Sequence, residues 1–311
     1  MDLVITEKSK KQANNMNNIK QEVERELIML RDFFRAYKTD ERKEILSRFL
    51  EVRRHYYNYH KFINRNHKEL RPSRHLLRNK KTFENAYRSG TVFQVKFDDL
   101  RYSITLACLI CGIPRNGQLD HFLPTSNFPQ FAVFLHNLVP VCGECNSSKG
   151  NIEGHLHPVF SKWMKTNFLQ LEIVNFFDGK PTFTLRANKR LDFPSRKRFG
   201  QFATVAEIRR KILRFCEKFW YEYTEKELTT GIIFQSPGNF NLVMTIENLM
   251  QQLKEKSVFE FNNNGTHSAA GMLYNALANC PDLLDYVVKR RLAATLASNA
   301  TVAFKIYGFN I

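Results

Sequence analysis

The sequence lacks any apolar run long enough to cross a membrane, because stretches such as Phe131 to Leu135 fall far short of the ~20 residues that a spanning helix needs. It also lacks the basic and then apolar segment of a secretory signal near its N-terminus, and it contains no internal repeat. Its six cysteines are not spread as a disulfide framework, since four of them form two Cys-x-x-Cys pairs. These absences argue against a membrane or secreted protein, and we expect a cytoplasmic one.

Acidic residues are scarce relative to basic ones. The 311 residues include 47 Lys and Arg against 30 Asp and Glu, a net charge of +17, and the hydrophobic content of 43% is typical of a globular chain. The excess is concentrated in residues 42–88, with 14 basic and 4 acidic side chains, and in residues 186–214, with 10 and 2. Residues 231–311 are nearly neutral. So basic a chain attracts polyanions, and we expect an acidic partner.

Apolar periodicity predicts a mostly helical chain of the α+β class. Apolar side chains recur every three or four positions in residues 9–38 and again after Thr39-Asp40, which predicts an antiparallel helix pair. A shorter helix is predicted over 72–87, whereas 91–107 favours a strand or a mixed segment. Later patterns predict a short helix around Trp163, a hairpin turning at Asp178-Gly179, and helices near 203–227, 243–256, 267–279 and 282–298.

The paired cysteines indicate a metal site. Cys108-Leu-Ile-Cys111 and Cys142-Gly-Glu-Cys145 form two knuckles whose four thiolates suit one tetrahedral zinc. The 30 residues between Cys111 and Cys142 must themselves be folded for the knuckles to meet. A zinc with four protein ligands has no open coordination position. This ion would therefore stabilise the fold and take no part in catalysis. Buried structural thiols are the competing interpretation.

The segment between the knuckles carries polar residues that can converge. Asp120-His121 follows a short apolar run, and Asn137 precedes the apolar Leu138–Val141, so two short strands are predicted. Asn146 directly follows the last cysteine, where a helix begins. An isolated Asp-His pair is usually a surface or capping feature. Here a zinc would clamp the segment to the helix start, which would bring these side chains together.

These motifs, in this order, resemble the HNH endonucleases, also called His-Me finger or ββα-metal nucleases, in their subclass with a four-cysteine structural zinc. The resemblance covers residues 108–152. It implies a small zinc-stapled ββα-metal HNH core embedded between helical N- and C-terminal regions. It further implies that Asp120 and Asn146 bind the catalytic Mg²⁺ or Mn²⁺ and that His121 is the general base. Asn137 would support the loop and orient the histidine.

Such residues suit phosphodiester hydrolysis. One hard cation on carboxylate and amide oxygens keeps several waters and binds phosphate oxygens. A histidine with an ordinary pKa of ~6.5 can deprotonate an attacking water near neutral pH. Lys149 and the amides of the first helical turn are placed to hold a phosphate, although a solvated surface lysine fits the sequence equally well. His155 and His157 are either late metal ligands or packing histidines.

Basic side chains outside this segment are candidates for phosphate contacts. Such contacts add affinity for nucleic acid but do not distinguish one base sequence from another. These side chains lie in residues 42–88 and on the helix predicted over 203–227. The candidates are Arg53, Arg54, Lys61, Arg71, Arg74, Arg78, Lys80, Lys81, Arg210, Arg214 and Lys218. The aromatic residues among them, such as Tyr56 and Tyr59, fall at helical spacing, so we expect them to pack in the core rather than to stack on bases.

Three regions are predicted: a basic helical region at 1–92 that contacts nucleic acid, the HNH core at 93–165, and a β-hairpin plus helical domain at 166–311. The leading hypothesis is a metal-dependent DNA endonuclease. The alternatives are the same centre acting on structured RNA, and a non-catalytic zinc module that binds nucleic acid. The resemblance is compatible with bacterial restriction, phage defence or mobile elements, and with a protein partner such as an ATPase. Cutting both strands of a duplex would need a homodimer or two successive binding events by one chain.

Overall fold

The computed structural model describes residues 16–36, 39–64, 71–88, 92–103, 107–114, 117–149, 157–160, 169–188, 197, 200, 207–230 and 246–289. Over these residues the chain is mostly helical with two small two-stranded sheets, which confirms the predicted α+β class. It divides into two compact units. The first holds Met1–Phe168, Ala187–Arg209 and Phe261–Ser268, and the second holds the remaining residues.

The first unit begins with a helical layer whose apolar stripes form its core. The helices are α1 (Met16–Ala36), α2 (Asp40–Ser47), α3 (Phe49–Asn64), α4 (Arg74–Arg78) and α5 (Lys80–Arg88). The buried positions repeat every three or four residues, as predicted, and they include Val23, Leu27, Leu30, Phe34, Val52, Tyr56 and Tyr59. Burial of the two tyrosines confirms that the aromatic stripe packs in the core.

Two predicted helices are each interrupted by one residue. Arg48 ends α2 with φ −110° and ψ 17°, and Asn79 ends α4 with φ −96° and ψ 16°. Ser73 caps the start of α4 because its hydroxyl accepts a hydrogen bond from the Leu76 amide at 3.4 Å. The predicted start of the first helix, at residue 9, lies outside the described residues.

The strand or mixed segment predicted for 91–107 is wrong over most of its length, because Val92–Ser103 forms helix α6. Phe93 and Phe97 are buried one helical turn apart, and their rings lie 6.2 Å from each other. Asp98 accepts from Arg101 at 2.6 Å along the same helix. Aromatic and β-branched residues resemble a strand locally, but packing at i and i+4 decides the outcome.

The centre of the first unit is a short hairpin followed by a helix. Strand β1 (Gln118–His121) pairs antiparallel with β2 (Leu138–Val141), with Asp120 opposite Val139. Helix α7 (Gly143–Lys149) follows and packs on β1. The segment that joins the strands, 122–137, contains two 3₁₀ turns and buries most of its side chains. This is the strand, strand and helix order that the sequence predicts.

The second unit contains most residues of a second hairpin and of the remaining helices. Strands β3 (Leu169–Phe177) and β4 (Lys180–Ala187) turn at Asp178-Gly179, where φ is 49° and 72°. Two successive positive φ angles match the tight hairpin turn that Asp-Gly favours. The helices are α8 (Ile208–Thr230), α9 (Ile246–Asn264) and α10 (Ala269–Ala278), and residues 281–289 are also helical. The helix predicted around Trp163 lies outside the described residues.

The predicted domain boundaries stay predictions, although residues on both sides of the boundary at 92 belong to the same compact unit. Within the described ranges, none of the helices combines the length and apolar composition that crossing a bilayer requires.

Candidate metal and catalytic site

The four paired cysteines meet in one buried cluster. Their Sγ atoms all lie within 4.8 Å of one another, and the Sγ atoms of Cys111 and Cys142 are 4.0 Å apart. A tetrahedral zinc with Zn–S bonds of ~2.3 Å separates its sulfurs by roughly 3.8 Å, so the cluster fits this ion. The amides of Ile110 and Cys145 lie 3.4 Å from the sulfurs of Cys108 and Cys142, where they favour thiolates.

Backbone bonds join the first knuckle to the hairpin. The Leu109 amide donates to the Pro140 carbonyl at 3.2 Å, and the Gly112 amide closes the knuckle on the Cys108 carbonyl at 2.8 Å. Gly112 has φ 70°, which a residue with a Cβ rarely adopts. The second knuckle spans the start of α7. A zinc here would therefore fix the helix against the strands.

His267 is a residue near this cluster that sequence reasoning missed. It lies in the part of the first unit contributed by Phe261–Ser268, and it is fully buried. Burial lowers its pKa to about 4, and the neighbouring backbone of Leu109 and Cys108 opposes this shift. No local sequence signal links it to the knuckle, because the two segments are far apart along the chain.

Asp120 and Lys149 form a buried ion pair. Asp120 Oδ2 lies 2.8 Å from Lys149 Nζ. Asp120 is only 7% exposed and Lys149 only 2%. The same ammonium donates to the His121 carbonyl at 2.9 Å. Burial raises the pKa of Asp120, and the charge of Lys149 opposes that rise. Lys149 therefore points inward to the site rather than to the surface, and its predicted phosphate contact stays a prediction.

The His121 ring is oriented by a backbone carbonyl. Its Nε2 lies 2.8 Å from the Ala132 carbonyl, so the neutral ring donates from Nε2 and keeps Nδ1 as its proton acceptor. The Tyr87 ring packs edge-on at 4.7 Å between centroids. Burial lowers the pKa of His121 from 6.5 to about 4, so the ring is neutral at pH 7. The ordinary pKa assumed from sequence is thus shifted.

Asn137 is fully buried and holds the segment between the strands together. Its Oδ1 accepts from the Leu123 amide at 2.8 Å and from the Tyr59 hydroxyl at 3.0 Å. Its Nδ2 donates to the carbonyls of Leu123 at 3.1 Å and Phe131 at 3.3 Å. The side chain therefore braces the loop that carries Ala132. Its link to the His121 ring runs through that loop, since the ring itself bonds to the Ala132 carbonyl.

Asn146 contacts a residue that the sequence analysis did not single out. Its Nδ2 donates to Gln118 Oε1 at 2.8 Å, which leaves its own Oδ1 for another partner. Gly143 makes room for this contact, because a Cβ there would lie 3.3 Å from Gln118 Nε2. Among the described contacts, Asp120 pairs with Lys149 and not with Asn146. The two predicted ligands thus lie on neighbouring elements, each with a protein partner.

The N-terminal helices hydrogen-bond to the segment between β1 and β2. The Tyr56 hydroxyl donates to the Gln130 carbonyl at 2.9 Å, and Gln130 Nε2 lies 2.8 Å from His55 Nδ1. Glu26 accepts from the Leu135 amide at 2.9 Å, and burial raises its pKa to about 7. The helical layer and the segment are therefore one packed structure.

His157 acts as a packing residue. Its Nε2 lies 3.1 Å from the His136 carbonyl, and its Nδ1 accepts from the amides of Val159 and Phe160 at 3.2 and 3.3 Å. Both ring nitrogens are thus bonded to backbone, which favours packing over metal binding. His155 lies outside the described residues.

The basic candidates lie mainly on exposed helix faces. In the first unit the exposed ones are Arg53, Arg54, Lys61, Arg71, Arg74, Arg78 and Lys81, while Lys80 is half-buried. Arg53 pairs with Glu24 at 2.8 Å and Lys80 with Glu84 at 3.5 Å. In the second unit Arg210, Arg214 and Lys218 are exposed, and Lys218 lies 3.6 Å from Glu222. Their contact with nucleic acid stays a prediction.

Two curated proteins are similar to this chain over part of their length. Protein ea31 of Escherichia phage lambda is 34% identical over 105 residues, which is 29% of this chain and 36% of ea31. The Septu protein PtuB of Bacillus thuringiensis is 26% identical over 108 residues, which is 33% of this chain and 42% of PtuB. The match therefore spans less than half the length of either relative. No family model matches the chain, and no solved structure matches it significantly.

The four-cysteine cluster fits a zinc-binding protein, and the partial similarity to PtuB is compatible with this. Among the described residues, no other group of three or more His, Cys, Asp or Glu side chains lies close enough to hold a metal ion in the same way.

Proposed function

We propose that this protein is an HNH-type endonuclease that hydrolyses phosphodiester bonds of DNA with a divalent ion. The observation that carries the proposal is the placement of Asp120 and His121 on β1, with Asn146 on the helix that packs against this strand. The strands and helix follow one another beside a cluster suited to zinc. The similarity to PtuB supports the proposal at a coarser level.

The donor atoms of the site suit a hard cation. Asp120 offers carboxylate oxygens, and Asn146 offers Oδ1 because its Nδ2 is bonded to Gln118. Mg²⁺ or Mn²⁺ held there would neutralise charge on the phosphate and on the leaving oxygen. The four cysteines would hold the structural zinc, which has no open coordination position. The two metals thus have separate tasks.

His121 is the residue proposed to move a proton. The Ala132 carbonyl fixes the proton on Nε2, so Nδ1 is free of its own proton and receives one from the attacking water. The low pKa keeps the ring in the basic form across the neutral range. Asn137 is a positioning residue, since it braces the loop that presents the Ala132 carbonyl. The exposed basic side chains would bind the backbone of the nucleic acid.

We extend the proposal to phage defence because PtuB is a phage-defence protein. A protein partner such as an ATPase, or a second copy of this chain, would fit that role. One catalytic centre cuts one strand, so a double-strand break would need two centres or two visits.

The test is plasmid nicking by the zinc-loaded protein and by His121→Ala, with Mg²⁺ added and then chelated. Zinc content is measured on both proteins. We expect about one zinc per chain on each and nicking by the wild type alone. Equal cleavage by both proteins would refute the role of His121. Parallel reactions with duplex DNA, single strands and structured RNA identify the substrate.

The buried ion pair between Asp120 and Lys149 favours a second candidate, a zinc module that binds nucleic acid without cutting it. In such a module the pair would be structural only. Binding of DNA that is insensitive to Mg²⁺, with no cleavage of any of the three substrates, would support this candidate over the nuclease.

A further inference from the structure

Lys149 is buried with its charge directed at the proposed metal ligand. Lys149 is only 2% exposed, and a lysine is almost never buried to this extent unless its charge is paired. The ammonium lies 2.8 Å from Asp120 Oδ2 and 2.9 Å from the His121 carbonyl oxygen. Both contacts are to the two residues at the centre of the proposed site.

The contact follows from the docking of α7 on β1. Asn146 and Lys149 are three residues apart and share one face of the helix. Gln118 and Asp120 are two residues apart and share one face of the strand. These faces meet in two adjacent pairs, Gln118 with Asn146 at 2.8 Å and Asp120 with Lys149 at 2.8 Å. The lysine is therefore part of the packing that brings the ligands together.

We infer that Lys149 is a resident counter-cation of Asp120 that competes with the divalent ion and so lowers its affinity. The inference rests on the proposed function, because it concerns the same metal site. A buried carboxylate is costly without a partner, and the ammonium neutralises it before an ion arrives. The ion must then either displace the ammonium or bind the other carboxylate oxygen beside it. Both routes cost affinity, the first by losing the pair and the second by repulsion between cations.

The test measures Mn²⁺ binding to zinc-loaded protein, without nucleic acid, by the loss of the free Mn²⁺ signal in electron paramagnetic resonance. Lys149→Gln removes the charge and keeps a donor for the His121 carbonyl. Lys149→Arg keeps the charge and is the matched control. Asp120→Asn removes the contested carboxylate. We expect Lys149→Gln to bind Mn²⁺ at least about tenfold more tightly than wild type, and Lys149→Arg to stay close to wild type. The gain should vanish in Asp120→Asn/Lys149→Gln.

Unchanged or weaker Mn²⁺ binding by Lys149→Gln overturns the inference, and so does weaker DNA binding with unchanged Mn²⁺ affinity, which would make Lys149 a phosphate ligand only. If Lys149→Gln does not fold, the wild type still tests the idea by lysine-selective ¹⁵N NMR. Mg²⁺ should shift the resonance of the buried ammonium, and an unmoved resonance at saturating Mg²⁺ contradicts the competition.

The nicking assay separates this inference from the proposed function. A protein that nicks DNA through His121 while Lys149→Gln has wild-type Mn²⁺ affinity overturns the inference alone. A protein that gains Mn²⁺ affinity in Lys149→Gln and never nicks any substrate overturns the proposed function alone.

Discussion

Replacement of Asn137 by alanine is expected to unfold the loop between β1 and β2. The side chain makes four hydrogen bonds, to the Leu123 amide and carbonyl, the Phe131 carbonyl and the Tyr59 hydroxyl, at 2.8 to 3.3 Å. A buried polar group left unpaired costs about 1–3 kcal/mol. Water entering the space would satisfy some of the four, so we expect a total loss of roughly 3–5 kcal/mol in the free energy of unfolding.

The assay is urea unfolding of zinc-loaded protein followed by circular dichroism, with nicking measured on the fraction that is still folded. Tyr59→Phe removes only one of the four bonds and should cost about 1 kcal/mol. Asn85→Ala, on an exposed face of α5, is the matched control and should change stability by less than about 0.5 kcal/mol. If Asn137→Ala is as stable as Asn85→Ala, the bracing role is refuted. If it is unstable but the folded fraction nicks normally, Asn137 does not position His121 through Ala132.

Three further predictions concern the metal, the base and the ligand contact. Cys142→Ser should lose zinc and the folded signal of the hairpin, whereas Cys216→Ser, at a buried cysteine outside the cluster, should keep zinc by metal analysis. Because the pKa of His121 is about 4 in the fold and 6.5 ordinarily, the unfolded chain takes up the extra proton first as pH falls, so stability from this residue is lost between pH 6.5 and 4. The unfolding free energy of wild type relative to His121→Gln should shrink across that window, and the acid limb of kcat/KM should lie nearer pH 4 than 6.5. Gln118→Leu should weaken Mn²⁺ binding, because it frees the Asn146 amide to turn, while Gln118→Glu keeps an acceptor and should retain binding.

The features predicted well from the sequence depend on short-range spacing. The knuckles at Cys108 and Cys142 could be recognised because each places two thiols close together within four residues. The four-cysteine site then required only that the segment between the knuckles fold back on itself. The buried stripe that includes Leu30 and Tyr56 followed from helical periodicity. The turn at Asp178-Gly179 followed from the positive φ angles that this dipeptide tolerates.

The features that escaped prediction depend on contacts between distant segments. The carbonyl that orients His121 belongs to Ala132. Every residue has a backbone carbonyl, so the residue type at position 132 could not indicate this contact. The burial of Lys149 depends on how α7 docks on β1, so the sequence alone could not distinguish it from a surface lysine. The helix at 92–103 was missed because its aromatic residues fit a strand until Phe93 and Phe97 pack on other rings.

The contacts of α3 connect the N-terminal helices to the proposed site. Tyr59, on the buried face of α3, bonds directly to Asn137, while Arg54 and Lys61 lie on the exposed face of the same helix. A helix is stiff over this length, so its phosphate-contact candidates are held at a fixed position relative to the loop that orients His121. A cut at the predicted boundary after residue 92 would remove Tyr59 from Asn137 and leave buried polar groups unpaired. The core predicted at 93–165 is therefore not expected to fold on its own, because the basic helices also stabilise the loop of the proposed site.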